Sequence, residues 1–230
     1  MGRPRIALVI PVLDEAATIG AVVRAVPRDW VDEIIVVDGG SRDRTVAEAE
    51  QAGARTLTVT ERGYGRACQA GADAANAEIV VFLDGDGSDD PALIPQIVAP
   101  LLSDAADFVL GARANALREP GSMTALQIWS GWSIGLILWL LYRVRYTDMS
   151  PFRAIRSAAL ARLGMREMTY GWNLEMQMRA AHTGLRILEL PVPHGRRLAG
   201  KSKVAGTFRG TVKAGFRILA TFARIIREPR

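Results

Sequence analysis

Residues 79–91 read Ile79-Val80-Val81-Phe82-Leu83-Asp84-Gly85-Asp86-Gly87-Ser88-Asp89-Asp90-Pro91. An apolar run with no polar alternation is the pattern of a strand covered on both faces, as in a parallel sheet. The residues after it carry chemistry: two carboxylates two positions apart, with Gly85 between them to relax the backbone. Such a pair can bind a hard divalent cation, Mg2+ or Mn2+, that also takes diphosphate oxygens. Zinc does not suit it, since no Cys or His accompanies the pair. The same letters also read as a plain polar turn, with Ser88 or Asp89 capping a helix that opens at Pro91.

Four more short apolar runs, at residues 6–12, 33–37, 55–59 and 107–110, alternate with helical patterns over 16–26, 45–52, 66–75 and 91–102. This alternation predicts an α/β fold with a mainly parallel sheet and helices on both faces. Ligands in such sheets sit beyond the carboxyl ends of the strands. There the chain places Pro11-Val12-Leu13-Asp14-Glu15, then Asp38-Gly39-Gly40-Ser41, then the Asp84–Asp90 loop. Asp38 can accept hydrogen bonds from a base or ribose, or it can cap the turn at Gly39-Gly40. No Gly-x-Gly-x-x-Gly follows the first strand and no Gly-Lys-Ser/Thr loop occurs, so phosphate must be handled by metal and side chains.

At 230 residues, 49% of them hydrophobic, the chain can bury a full core, which excludes intrinsic disorder and collagen-like or disulfide-stapled classes. One cysteine, Cys68, forms no internal disulfide and supplies no cysteine-rich zinc site. The N-terminus carries no leader pattern and reads as a mature strand, so a cytoplasmic protein is expected. The net charge of +5 is unevenly divided: residues 1–112 hold 9 arginines against 18 acidic residues, and residues 113–230 hold 20 basic against 6 acidic. The basic half suits anionic lipid or a phosphorylated substrate, while the acidic half argues against nucleic acid as a partner.

Residues 120–142 carry no charge. Their length invites a transmembrane reading. Gly, Ser, Thr and Gln dilute the first half, so a buried or membrane-surface helix is expected instead, with Arg143 and Arg145 at its end. In the C-terminal segment, residues 206–230, Phe208, Val212, Phe216, Leu219, Phe222 and Ile226 fall at helical spacing among Arg and Lys. A basic amphipathic helix of this kind lies on an anionic membrane surface, or packs on the domain or on a second subunit. Either apolar helix makes a homodimer or a membrane partner plausible.

The ordered series IPVLDE, VVDGGSRDRT, FLDGDGSDDP, GAR, TDMSPFRAIR, GWNLEM and GRRLAGKSKV resembles the family-two glycosyltransferases of GT-A (Rossmann-like) fold. The resemblance is strongest to the polyprenyl-phosphate, dolichyl-phosphate mannose synthase-like branch. It covers about residues 5–205, with 1–112 as the nucleotide half and 113–205 as the acceptor half. It implies transfer of a hexose, with inversion, from a UDP- or GDP-linked nucleotide-sugar to a polyprenyl phosphate at the inner face of the membrane. Pro11, Leu13, Glu15 and Asp38 would line the nucleotide pocket, and Asp84 and Asp86 would be the DxD pair that holds Mg2+ or Mn2+. Arg113, Arg197 and Lys201 would contact phosphates in the reaction, and Asp148, Ser150, Arg153, Arg196 and Lys203 would form the acceptor side. Around residues 123–132, where relatives commonly carry basic residues, this chain has Thr124, Gln127 and Ser130.

Breaking the sugar–diphosphate bond develops negative charge on the leaving group, which a divalent cation with Arg or Lys stabilises. A lipid phosphate is already anionic and needs no strong base, whereas a hydroxyl acceptor does. Glu175 is then the base candidate, and its alternative role is a helical pair with Arg179. A membrane-surface scaffold without catalysis is the non-enzymatic alternative. His182 and His194 are read as non-catalytic.

Overall fold

The computed structural model describes residues 2–113, 115–199 and 221–227. Its strands are β1 (Ile6–Val12), β2 (Glu33–Asp38), β3 (Arg55–Thr58), β4 (Ile79–Phe82), β5 (Phe108–Ala112), β6 (Arg153–Arg156) and β7 (Ile187–Pro191). They form one sheet in the order β3-β2-β1-β4-β6-β5-β7. β1 to β4 run parallel, β6 is antiparallel to both β4 and β5, and β7 is parallel to β5. The carboxyl ends of β1, β2, β4, β5 and β7 therefore share one edge with the start of β6. The expected mixed, mainly parallel sheet is present.

The continuous apolar runs follow from burial on both faces. Leu8, Ile10, Ile34, Val36 and Val81 point to one side, where they meet α1 (Ile19–Arg24) and α4 (Ile94–Leu102). Val9, Ile35, Val37, Val80 and Phe82 point to the other side, toward α3 (Tyr64–Ala74), α5 (Ala125–Tyr142), α6 (Ser157–Leu163) and α7 (Trp172–His182). The helix α2 (Thr45–Gln51) follows β2 and contacts α1.

The polar residues at the head of α5 form a reciprocal cap. The Gln127 backbone NH donates to Thr124 Oγ1, and the Thr124 backbone NH donates to Gln127 Oε1. Only Gly131, Ile134, Gly135 and Leu138 of α5 are buried. A Cβ on Gly135 would clash with the Tyr146 carbonyl, so glycine lets the helix lie backbone against backbone on residues 146–148. Much of the remaining surface is apolar and exposed, with Trp129 at 65% and Leu126, Trp132 and Leu140 close behind. α5 is long and apolar enough to cross a membrane, by length and composition only.

In the C-terminal segment, residues 221–226 are helical, and Phe222 and Ile225 join the core on the α7 side. The inward pair is thus Phe222 and Ile225, and Ile226 of the expected stripe is half exposed. The Arg224 guanidinium donating to Glu175 accompanies this rotation.

The starts of β5 and β7 are tied by Asp107, which accepts from the Arg186 backbone NH, Nε and Nη2. These bonds from Arg186 hold the Asp107 carboxyl down at about 2. A depressed carboxyl stabilises the fold above its ordinary value near 4 and loses that contribution as pH falls through its folded value. Asp107→Asn is expected to cost about 1 kcal/mol at pH 7, discounted because Arg186 is half exposed. Urea titrations of both proteins should show the difference shrinking as the pH falls from about 4 toward the folded value near 2.

Candidate active site

The loops at the carboxyl edge are knitted together before any ligand is considered. Asp14, at φ +50, accepts from the Arg42 NH, and its own NH donates to Ser41 Oγ. The Glu15 NH donates to Thr45 Oγ1, and Thr18 Oγ1 donates to the Gly85 carbonyl at 2.7 Å. Asp38 is buried and accepts from the NH groups of Gly40 and Ser41 and from Ser41 Oγ. Of its two readings, the turn cap is the one these contacts display. Pro11 is buried in β1 and Leu13 is half-buried beside this loop.

In the Asp84–Asp90 loop each side chain has its own task. Asp90, rather than Ser88 or Asp89, caps the helix: its Oδ1 accepts from the Ala92 NH. That leaves Ser88 to donate twice to Asp86 Oδ1, from N at 2.9 Å and from Oγ at 2.6 Å. Asp86 is 3% exposed, and its second oxygen, Oδ2, lies 2.9 Å from Arg197 Nη2. Asp89 is buried with Oδ1 2.8 Å from His194 Nδ1, and its Oδ2 has no hydrogen-bond partner among the described residues. Asp84 accepts from the Tyr64 hydroxyl at 3.2 Å. Burial, then the nearby Asp86 and Asp89, push its carboxyl up to about 7.

Across the edge, Arg113 at the end of β5 is clamped by Asp148. The Arg113 backbone NH and Nε donate to Asp148 Oδ2 at 2.9 and 2.7 Å, and Nη2 donates to Oδ1 at 3.0 Å. This bidentate fork holds the Arg113 guanidinium charged and aimed. Asp148 thus serves Arg113 and not Arg153.

Three residues expected on the acceptor side are placed elsewhere. Arg153 is fully buried and donates to the carbonyls of Ser150 and Asn173, with burial lowering its guanidinium to about 10. Ser150 is fully buried as well, and its Oγ accepts from the Phe152 NH. Arg153 ties β6 to α7, Ser150 holds the turn that enters β6, and neither has surface on which to meet a phosphate. Arg196 turns to Glu119 and to the Pro120 carbonyl. Lys201 and Lys203 lie outside the described residues.

Glu175 also differs from its expected role. It is fully buried, with Oε2 accepting from the NH groups of Arg166 and Glu167 and Oε1 accepting from Arg179 Nε and Arg224 Nη2. Four donors occupy the carboxylate, leaving no oxygen to take a proton from an acceptor hydroxyl. The expected pairing with Arg179 is present, at 2.9 Å.

The segment after β7 is a strap over the carboxylate loop. The Gly195 NH donates to the Ser88 carbonyl at 2.8 Å and the Leu198 NH to the Asp86 carbonyl at 3.1 Å. Gly87, at φ +75, leaves the space that the Leu198 side chain fills. Tyr64 carries no signal in the sequence, and the pairing of Asp89, a candidate cap, with His194 has none either. Asp89 sits within the acidic loop, but its partner is 105 residues away. Only the sheet order brings them together.

Residues 7–164 match the family model for Glycosyl transferase family 2. The chain belongs to that family. A glycosyltransferase of Mycobacterium tuberculosis, named as uncharacterised, is 36% identical over 216 residues, which span 93% of this chain and 96% of its own. The undecaprenyl-phosphate mannosyltransferase of Micrococcus luteus is 28% identical over 228 residues, 90% of each chain. Among solved structures, glucosyl-3-phosphoglycerate synthase from M. tuberculosis in complex with Mn2+, UDP-glucose and phosphoglyceric acid aligns with a TM-score of 0.79 at 26% identity. The alignment covers 100% of this chain and 82% of that one. The sheet is the GT-A arrangement of family 2.

The donor set of this family 2 site fits a hard divalent cation. Its oxygens come from three carboxylates crowded into one largely buried loop, and Asp89 Oδ2 has no hydrogen-bond partner among the described residues, so the loop holds acceptor oxygens that its neighbours do not satisfy. Among the described residues no three His, Cys, Asp or Glu side chains form a closed cage. An incomplete carboxylate set is how magnesium-type sites leave room for substrate phosphates.

Proposed function

We propose that the chain moves a hexose from a UDP- or GDP-sugar to a polyprenyl phosphate at the inner membrane face. The acceptor phosphate oxygen attacks the anomeric carbon as the carbon–oxygen bond to the nucleoside diphosphate breaks, with inversion. Asp86, with Asp84 beside it, would hold Mg2+ or Mn2+, which when bound neutralises charge on the leaving diphosphate. Arg113, fixed by Asp148, adds a preorganised positive charge at the same edge, where it needs no reorganisation as charge develops. Pro11, Leu13, Glu15 and Asp38 are proposed to frame the nucleotide. Lys201 and Lys203 are proposed to meet the acceptor phosphate.

The observation that carries the lipid acceptor is α5, an uncharged helix with tryptophans and leucines on most of its exposed circumference. An apolar surface of this kind, ending at the exposed Arg143 and Arg145, suits the boundary between acyl chains and anionic headgroups. The basic C-terminal segment is proposed to lie on the same surface. The name of the M. luteus relative supports this reading.

A hydroxyl acceptor is the second reading, favoured by the likeness to glucosyl-3-phosphoglycerate synthase. It lacks a base at Glu175. The deciding experiment incubates the protein with Mn2+ and radiolabelled UDP-glucose or GDP-mannose. Undecaprenyl phosphate in detergent is offered in one arm and 3-phosphoglycerate in the other. An EDTA-sensitive, solvent-extractable product only in the lipid arm is the expected result. Label appearing only in water-soluble glucosyl-phosphoglycerate would overturn the lipid acceptor.

A further inference from the structure

Arg197 sits where a metal ion would compete with it. The two oxygens of Asp86 are not equivalent: Oδ1 is tied down by Ser88 N and Oγ, which leaves Oδ2 for a partner outside the loop. That oxygen is taken by Arg197 Nη2 at 2.9 Å, and the same guanidinium has Nη1 3.7 Å from Glu15 Oε1. The backbone around Arg197 is seated too, through the Leu198 NH on the Asp86 carbonyl and the Gly195 NH on the Ser88 carbonyl. The neighbouring Arg196 turns away to Glu119, so the two adjacent arginines have separate partners.

We propose that Arg197 is a built-in counter-cation for Asp86, exchanged for the divalent ion on loading and thereby released toward the donor diphosphate. This rests on the metal-dependent reading given above. A divalent ion bound through Oδ2 repels a guanidinium at contact distance on the same oxygen, and Arg197, held there chiefly by that one ion pair, is the group free to move away. The expelled arginine then lies beside the diphosphate, the one anion introduced with the ion. Arg197 would thus weaken binding of the ion alone and strengthen binding of the ion with nucleotide. A plain phosphate-binding arginine would affect only the second.

The two signs can be measured without turnover. Mn2+ alone, and Mn2+ with UDP, are titrated into the full-length protein and followed by the electron paramagnetic resonance signal of unbound Mn2+. Arg197→Gln is expected to bind Mn2+ alone roughly three- to tenfold more tightly, the scale of a partly exposed ion pair. The same variant should bind UDP in the presence of Mn2+ several-fold more weakly. Arg196→Gln is expected to change neither, and Arg197→Lys should fall between wild type and Arg197→Gln. Melting temperatures confirm that each variant is folded. If Arg197→Gln binds Mn2+ alone with unchanged or lower affinity while Mn2+ and UDP still bind the wild type, the exchange is wrong and the metal site stands. If the wild type binds no Mn2+ even with UDP, the metal-dependent reading itself fails.

Discussion

Asp86→Asn is expected to lower kcat/KM for sugar transfer by about 10³ or more while leaving the melting temperature within a few degrees. The size follows from removing the charge that fixes a cation at the leaving group, a loss on the order of 4 kcal/mol of transition-state stabilisation. The geometry makes the substitution severe despite its small change in shape. With Ser88 donating to Oδ1, the new amide nitrogen must take the Oδ2 position. It then presents a donor both to the incoming ion and to Arg197. If the amide flips instead, Ser88 loses its acceptor and the loop loses its order. Stability changes little for two reasons. Arg197 is partly exposed and can be solvated, and Asp84, whose carboxyl is pushed up chiefly by burial, is relieved of the neighbouring charge that adds to the rise. Steady-state kinetics with Mn2+, alongside thermal melts, test both halves. A variant retaining a tenth of wild-type activity would remove Asp86 from the metal role.

The strands that carry Asp38 and Asp86 were legible because helices cover both faces of the sheet, which erases polar alternation and leaves plain apolar runs. β6 was not legible, and the reason is physical. Its four residues, Arg153-Ala154-Ile155-Arg156, look like surface, yet Arg153 is wholly buried because the Ser150 and Asn173 carbonyls satisfy its donors. Insertion of β6 between β4 and β5 is what brings Asp148 onto Arg113, and nothing in local spacing encodes that register. The same limit governed the acidic loop. Its carboxylates were visible at once, but the choice of Asp90 as cap freed Ser88 for Asp86 within the loop and Asp89 for His194, a partner that only the folded chain defines. Glu175 shows the converse. Its pairing with Arg179 was readable at helical spacing, while Arg224, 49 residues on, converts a surface-type pair into a buried cluster.

That cluster gives the second large effect, in stability rather than rate. Glu175→Gln keeps the volume but replaces one oxygen by a nitrogen that donates, and either orientation sets it against two existing donors. If the amide faces Arg179 and Arg224, two cations lose their counter-charge; if it faces residues 166 and 167, two backbone NH groups lose their acceptor. Removing one partner of a buried ion pair typically costs about 3–5 kcal/mol, because the charge left behind remains desolvated. In a chain of this length that is a fall in melting temperature of roughly 10 °C. It also loosens residues 221–226, which Arg224 fastens to α7. Transfer per folded molecule, measured well below the melting point, should remain within about threefold of wild type, since loss of a general base would instead cost 10²- to 10⁴-fold. A stable Glu175→Gln protein with turnover reduced a hundredfold would return Glu175 to the reacting centre and favour a hydroxyl acceptor. A destabilised but active one leaves the anionic phosphate as its own nucleophile.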